Sequence, residues 1–174
     1  MNIPDIVELL CKHSPKSLED IKKLGIKCHE ISKGYGAFRR VYKVRGLDLV
    51  FKIPRYTTDY ETNISYNIEH ARAEYSAVCR IERFKKYKIL RQFMPQIFYF
   101  NWDCGIMAME YYKPLLFTAV GEAGCNALSA LVDSCWNKSL GTDICTNNVG
   151  LAVDVDRGDY NLKLIDLGCF LENK

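Results

Sequence analysis

The chain has 174 residues, 48% hydrophobic and 26% charged, enough for one domain with a sizeable core. A formal net charge of +3 is too mild to imply nucleic acid as a partner, and no apolar run approaches a membrane span. The amino terminus, MNIPDIVELLCKH, has no basic leader and carries acids inside its apolar stretch, so a signal peptide is not expected and a cytoplasmic location is.

Residues 3–12 and 17–24 read as two short helices. Ser17 is placed to cap the second with Asp20 three residues on, and Gly25 follows its end. Residues 27–33, 38–45 and 48–53 alternate or run apolar and predict strands, separated by glycine turns at 34–36 and at Gly46. A polar stretch follows from Tyr56, and a helix is predicted over 67–88 with Ala71, Tyr75, Val78 and Ile81 on one face. After Pro95, residues 97–102 and 106–111 predict an antiparallel pair around Asp103-Cys104-Gly105. A further helix fits 122–138, where Ala127, Leu128, Leu131, Val132 and Cys135 recur at helical spacing. Residues 149–153 and 162–165 predict two strands joined through Asp156-Arg157-Gly158-Asp159. Strands with one inserted helix, then a helix and a hairpin, make the class α+β.

Eight cysteines stand at 11, 28, 79, 104, 125, 135, 145 and 169, and no two fall within four residues of each other. The paired spacing of structural zinc sites is therefore missing, and reduced thiols are expected.

Four stretches bear residues suited to chemistry. In SKGYGAFRRVYKV, residues 32–44, Gly34 and Gly36 fit either a plain hairpin turn or a lid whose N–H groups approach phosphates; Arg39 stands where a third glycine would complete such a lid. Lys52 lies between Phe51 and Ile53 in an apolar strand, where it must snorkel outward or meet an anion. Glu74 shares the apolar face of its helix with Ala71, Val78 and Ile81, and a carboxylate there requires a partner, for which Lys52 is a natural candidate. The stretch GIMAMEYYKPL, residues 105–115, fits an adenine slot or a core strand running into a loop. In GTDICTNNVGLAV, residues 141–153, Asp143 and Asn148 stand five apart, a spacing that lets a carboxylate take a proton while an amide oxygen joins a magnesium shell. Asp166, in LIDLG, follows a strand as a second hard oxygen ligand, although Asp and Asn are also ordinary loop formers. The basic run RIERFKKYKILR, residues 80–91, reads as the solvated end of a helix or as a docking surface for an acidic partner.

Taken in order over about residues 30–170, these stretches resemble the protein-kinase-like superfamily: glycine loop, strand lysine, helix glutamate, hinge, D-x4-N and D-x-G. The resemblance implies a two-lobe fold. A helical extension over 1–26 would precede an N-lobe over 27–111, built of a five-stranded antiparallel sheet plus one helix. A strongly reduced C-lobe over 112–174 would carry the catalytic loop and D-x-G. It also implies ATP and Mg2+ as cofactors. Gly34, Gly36, Val41, Lys52, Met109 as gatekeeper and the hinge Glu110, Tyr111 and Tyr112 would bind nucleotide. Asp143 would be the base, Glu74 the partner of Lys52, and Asn148 and Asp166 the metal ligands. Gly141-Thr142 replaces the family's histidine-arginine pair, and Leu167 replaces the phenylalanine of D-F-G. The chain ends eight residues after Asp166 without an activation segment, so a minimal kinase is expected, like those of bacterial effectors, phages or viruses. Such a kinase would act on hydroxyls of a specific folded protein, in its own or a host cytoplasm. The alternatives are a pseudokinase-like module that engages a partner kinase or another protein, and a small-molecule kinase.

Overall fold

A computed structural model of the chain describes residues 1–32, 38–55, 64–88, 90–114, 140–141, 149–154, 159–164 and 171–172. The first helix, α1 (Ile3–His13), opens on a reciprocal cap: Asp5 N donates to Asn2 Oδ1 at 2.9 Å, and Asn2 N donates to Asp5 Oδ2 at 3.0 Å. It closes on Ser14 in the left-handed region (φ 43°), whose N–H reaches back to Leu10 O, and Pro15 prevents continuation. The second, α2 (Leu18–Lys23), is capped as its sequence predicts, with Asp20 N donating to Ser17 Oγ at 3.1 Å. Gly25, at φ 81°, takes the chain out of that helix.

Five strands follow: β1 (Cys28–Glu30), β2 (Arg39–Val44), β3 (Leu49–Pro54), β4 (Ile97–Phe100) and β5 (Met107–Glu110). They form one antiparallel sheet in the order β1-β2-β3-β5-β4, and the long helix α3 (Ile64–Arg83) is inserted between β3 and β4. The fold is thus α+β, with a five-stranded antiparallel sheet and one long helix.

The chain divides into two compact units, Met1–Arg72 with Gln96–Tyr111, and Ala73–Pro95 with Tyr112–Lys174. The core of the first lies on one sheet face. Tyr42, Val44, Leu49, Phe51, Ile106 and Ala108 pack there with Ile6 and Leu10 of α1, Ile21 of α2 and Ile26. Ile6 and Leu10 sit four apart on one helix stripe, so both reach the sheet, and each fully buried aliphatic side chain contributes about 1.5–3 kcal/mol. The N-terminal helices are therefore part of this core.

In the second unit α3 buries Ala77, Val78 and Ile81. The helix expected over 67–88 begins earlier, at Ile64, and ends at Arg83. Phe84 is extended (φ −92°, ψ 129°), and two short 3-10 turns follow, Lys85–Tyr87 and Leu90–Phe93. The bend buries Tyr87, Leu90 and Met94, and Arg91 Nε donates to the terminal carbonyl of Ile81 at 3.1 Å. A three-stranded antiparallel sheet consists of β6 (Lys113–Pro114), β8 (Val149–Asp154) and β9 (Asp159–Leu164), while β7 (Leu140–Gly141) pairs with β10 (Leu171–Glu172). The β8–β9 hairpin extends one residue further than predicted on its first strand and starts three residues earlier on its second. Lys163 Nζ fastens it to the preceding turns, donating to Gln92 O at 2.8 Å and Met94 O at 3.3 Å. The helix expected over 122–138 lies outside the described residues.

Candidate functional site

Side chains alternate across a strand, so the five-stranded sheet has a second face opposite the core just described. Cross-strand registers define it: Val41 stands opposite Lys52, Lys43 opposite Val50, Val50 opposite Met109, and Lys52 opposite Met107. This brings three sequence candidates, Val41, Lys52 and Met109, onto one surface with Val50 and Met107. Val50, Met107 and Met109 are buried, and Lys52 is 5% exposed. Lys52 thus places a cationic side chain on an otherwise largely apolar part of the face. An apolar surface with cationic side chains on it can hold a flat apolar group at one end and an anion at the other.

The edge of this face is shaped by Lys43 and Tyr111. Lys43 Nζ lies 3.6 Å from the Tyr111 ring centroid and 3.4 Å from Asp48 Oδ1. The main-chain donors of the expected hinge are partly committed: Glu110 N–H goes to Gln96 O at 2.8 Å and Tyr111 N–H to Asp48 O at 3.1 Å. Glu110 falls on the opposite parity from Met109, and it borders a groove of about 710 Å³ with Ile3, Val7, Asp48 and Phe98 on the α1 side. Its carboxylate thus belongs to the α1 side of the sheet. Tyr112 lies in the second unit, its ring 5.9 Å from Lys163 Nζ.

Glu74 is 3% exposed on α3, as its place on the apolar stripe predicts, whereas Glu69 and Glu82 are exposed. Gly34, Gly36, Asp143, Asn148 and Asp166 lie outside the described residues. The strands beside the last three are described. Gly141, two residues before Asp143, pairs with Leu171 across β7 and β10. Val149, next to Asn148, pairs with Leu164, two residues before Asp166. The segments 142–148 and 165–170 are therefore bracketed at both ends by cross-strand pairs.

Reasoning from sequence missed one buried ion. Arg39 is 5% exposed and shares the parity of Val41, so it stands on the second face opposite Pro54. The strand expected over 38–45 already contained it, and the period of two shared with Val41 was the signal that places it on this face. No model of a known protein family matches the chain, and no curated protein sequence matches it.

Proposed function

We propose that the chain is an ATP- and Mg2+-dependent phosphotransferase acting on a hydroxyl of a folded protein. The observation that carries this reading is the double bracket of the D-x4-N and D-x-G segments by Gly141–Leu171 and Val149–Leu164. Two hard oxygen ligands and a base on segments tied together at their ends suit phosphoryl transfer, which depends chiefly on positioning and charge neutralisation. The buried Lys52, ringed by Val41, Val50, Met107 and Met109, adds a cation on an apolar surface of the kind a nucleotide needs.

In this reading a protein-kinase-like fold carries the site. Lys52 holds the α- and β-phosphates, Glu74 orients it, and Gly34 and Gly36 lie over the phosphates. The adenine rests against Val41 and Met109 beside Glu110–Tyr112. Asp143 accepts the proton of the attacking hydroxyl, whose oxygen bonds the γ-phosphorus as the bond to the β-phosphate oxygen breaks and ADP leaves. Asn148 and Asp166 would hold Mg2+, which neutralises charge on the phosphates.

The test is transfer of label from γ-labelled ATP to the protein itself or to a protein in lysate, with Mg2+ and with EDTA. Transfer that needs Mg2+ and is lost in a folded Asp166→Ala variant is expected. Mg2+-dependent ATP binding without any transfer would favour the pseudokinase-like alternative, to which the Gly141-Thr142 replacement already points. Neither binding nor transfer would overturn both.

A further inference from the structure

The bend that ends α3 leaves an aromatic ring in water. Burial of Tyr87 and Leu90 turns the chain at Phe84, whose backbone is extended, and the Phe84 side chain stays outside, 46% exposed. Tyr66 and Trp102 are exposed as well, but each has a polar tip to offer water and Phe84 has none. Arg83, Lys85 and Lys88 are exposed beside it, against a single acid, Glu82, in the run 80–91. The Arg83 guanidinium carbon lies 5.9 Å from the Phe84 ring centroid. One exposed ring is ordinary on a protein surface. A ring set among cations is more specific, because its counterpart must be both apolar and acidic.

The chain itself carries such a surface. The groove on the α1 side of the five-stranded sheet is lined by Ile3 and Val7, four apart on α1, and by Phe98 of β4. Three carboxylates border it, those of Glu8, Asp48 and Glu110, and among the described residues no cation lines it. Asp48 already meets Lys43 at 3.4 Å, whereas Glu8 and Glu110 have no ion-pair partner among the described residues. Glu8 is exposed and Glu110 half-buried, so both are solvated in the free chain and can be reached by a cation. A volume of about 710 Å³ accommodates a phenyl ring together with the stems of its neighbours.

We propose that this groove receives Phe84 of a second copy of the chain, with Arg83 and Lys85 of that copy meeting Glu8 and Glu110. Burial of the ring supplies the attraction, and the flanking charges fix how it enters. A formal net charge of +3 repels two copies at long range, so the association is weak and reversible and depends on this local match. The two contacting surfaces differ, so the contact is either made twice in a closed pair or repeated head to tail. None of this depends on the phosphotransferase reading.

Sedimentation velocity of the full chain, from about 10 μM to about 1 mM, reads the association. The mean mass of the wild type rises over this range, and Phe84→Ser weakens the association about tenfold or more. A groove variant, Glu8→Lys with Glu110→Lys, and a knob variant, Arg83→Glu with Lys85→Glu, are each monomeric alone, because each sets like charge against like. Mixed in equal amounts they associate again, since opposite charges now meet, and that recovery also shows that both are folded. Adding Phe84→Ser to both abolishes the recovery, which a general attraction between a more basic and a more acidic protein would survive. A wild type that stays monomeric to about 1 mM leaves the groove to some other protein and overturns the proposal. So does Phe84→Ser that associates as the wild type does, or a mixture that stays monomeric although both variants melt cooperatively.

Discussion

The side-chain amide of Asn101 donates to the main-chain carbonyl of Pro15 at 3.1 Å, joining two segments 86 residues apart. One partner lies in the turn between β4 and β5, the other in the link between α1 and α2. Asn101 Oδ1 accepts from Asp103 N at 2.9 Å, and Cys104 Sγ also approaches Pro15 O, at 3.7 Å. Because Asn101 is buried, Asn101→Ala leaves enclosed backbone groups without their partners, at a cost of about 1–3 kcal/mol. Urea unfolding of the two proteins measures it. Equal stability would mean that the turn and the link hold themselves.

A second prediction concerns α1. Leu10 is fully buried among Ile6, Ile21 and the sheet residues, so Leu10→Ala should destabilise by about 2–5 kcal/mol. Lys12→Ala, on the exposed side of the same helix, should change stability by less than about 0.5 kcal/mol. Two similar denaturation midpoints would remove α1 from the core.

What could be read in advance was local chemistry. Ser17, Asp20 and Gly25 mark α2 because a cap needs only neighbours within three or four residues. The five strands and the burial of Glu74 followed from periodicity. The end of α3 did not, since Arg80, Arg83, Lys85 and Lys88 are compatible with a longer helix; burial of Tyr87 and Leu90 bends the chain away, and no local pattern encodes that. The packing of α1 and α2 on the sheet was hidden for the same reason. Of the candidate site, Val41, Lys52 and Met109 were singled out by residue type and order, and the registers bring these three onto one sheet face. Arg39 shares the parity of Val41, but burial of a charged side chain at a strand's first residue follows from tertiary packing and not from the alternation.

Gly105 gives a third prediction. It has φ 71°, where L side chains are strained, and a Cβ there would lie 3.0 Å from Pro54 Cγ and 3.1 Å from Ala71 Cβ. Both neighbours are short and held by the strand and the helix, so they cannot swing aside. Gly105→Ala should therefore cost more than the roughly 1 kcal/mol that the backbone conformation alone imposes. Thermal unfolding measures the loss; Gly46→Ala, at φ 73° with nothing within 4 Å, isolates the backbone part.

Cysteine reactivity provides a fourth. Among the described residues Cys11, Cys28, Cys79 and Cys104 are free thiols, with Cys11 and Cys79 exposed. Burial raises the pKa of Cys28, partly offset by Lys22, and burial likewise raises that of Cys104. Of these four, iodoacetamide at about pH 8 should modify Cys11 and Cys79 before Cys28 and Cys104, whose lag should shorten as pH rises. For stability the sign follows from the folded pKa lying above the unfolded one. The contribution is complete below about pH 8.5, the unfolded value, and is lost as pH climbs through the raised folded values. Peptide mapping of labelled protein checks the order, and early labelling of Cys104 would contradict it.

The final prediction separates a structural role for Lys52 from a ligand-binding one. Its ammonium is enclosed on a face formed by Val41, Val50, Met107 and Met109, where an apolar side chain of similar length fits without loss of packing. Lys52→Met supplies a flexible thioether of similar length but loses the lysine's own interactions, so a cooperative melting transition should persist at a lower midpoint. The nucleotide effect should not. A ligand at about 100 times its Kd stabilises the folded state by about 2.7 kcal/mol, which is readily seen as a rise in melting temperature. In the wild type Mg2+ and ATP should give that rise. In Lys52→Met it should vanish, because the face has lost the cation that stands between Val41 and Met107, where the phosphates are proposed to bind. Arginine keeps the charge but has a larger, planar head, so Lys52→Arg should recover only part of the shift. If Lys52→Met instead melts without cooperativity, while Lys52→Arg behaves as wild type with and without nucleotide, the buried charge serves the fold and the candidate site loses its central cation.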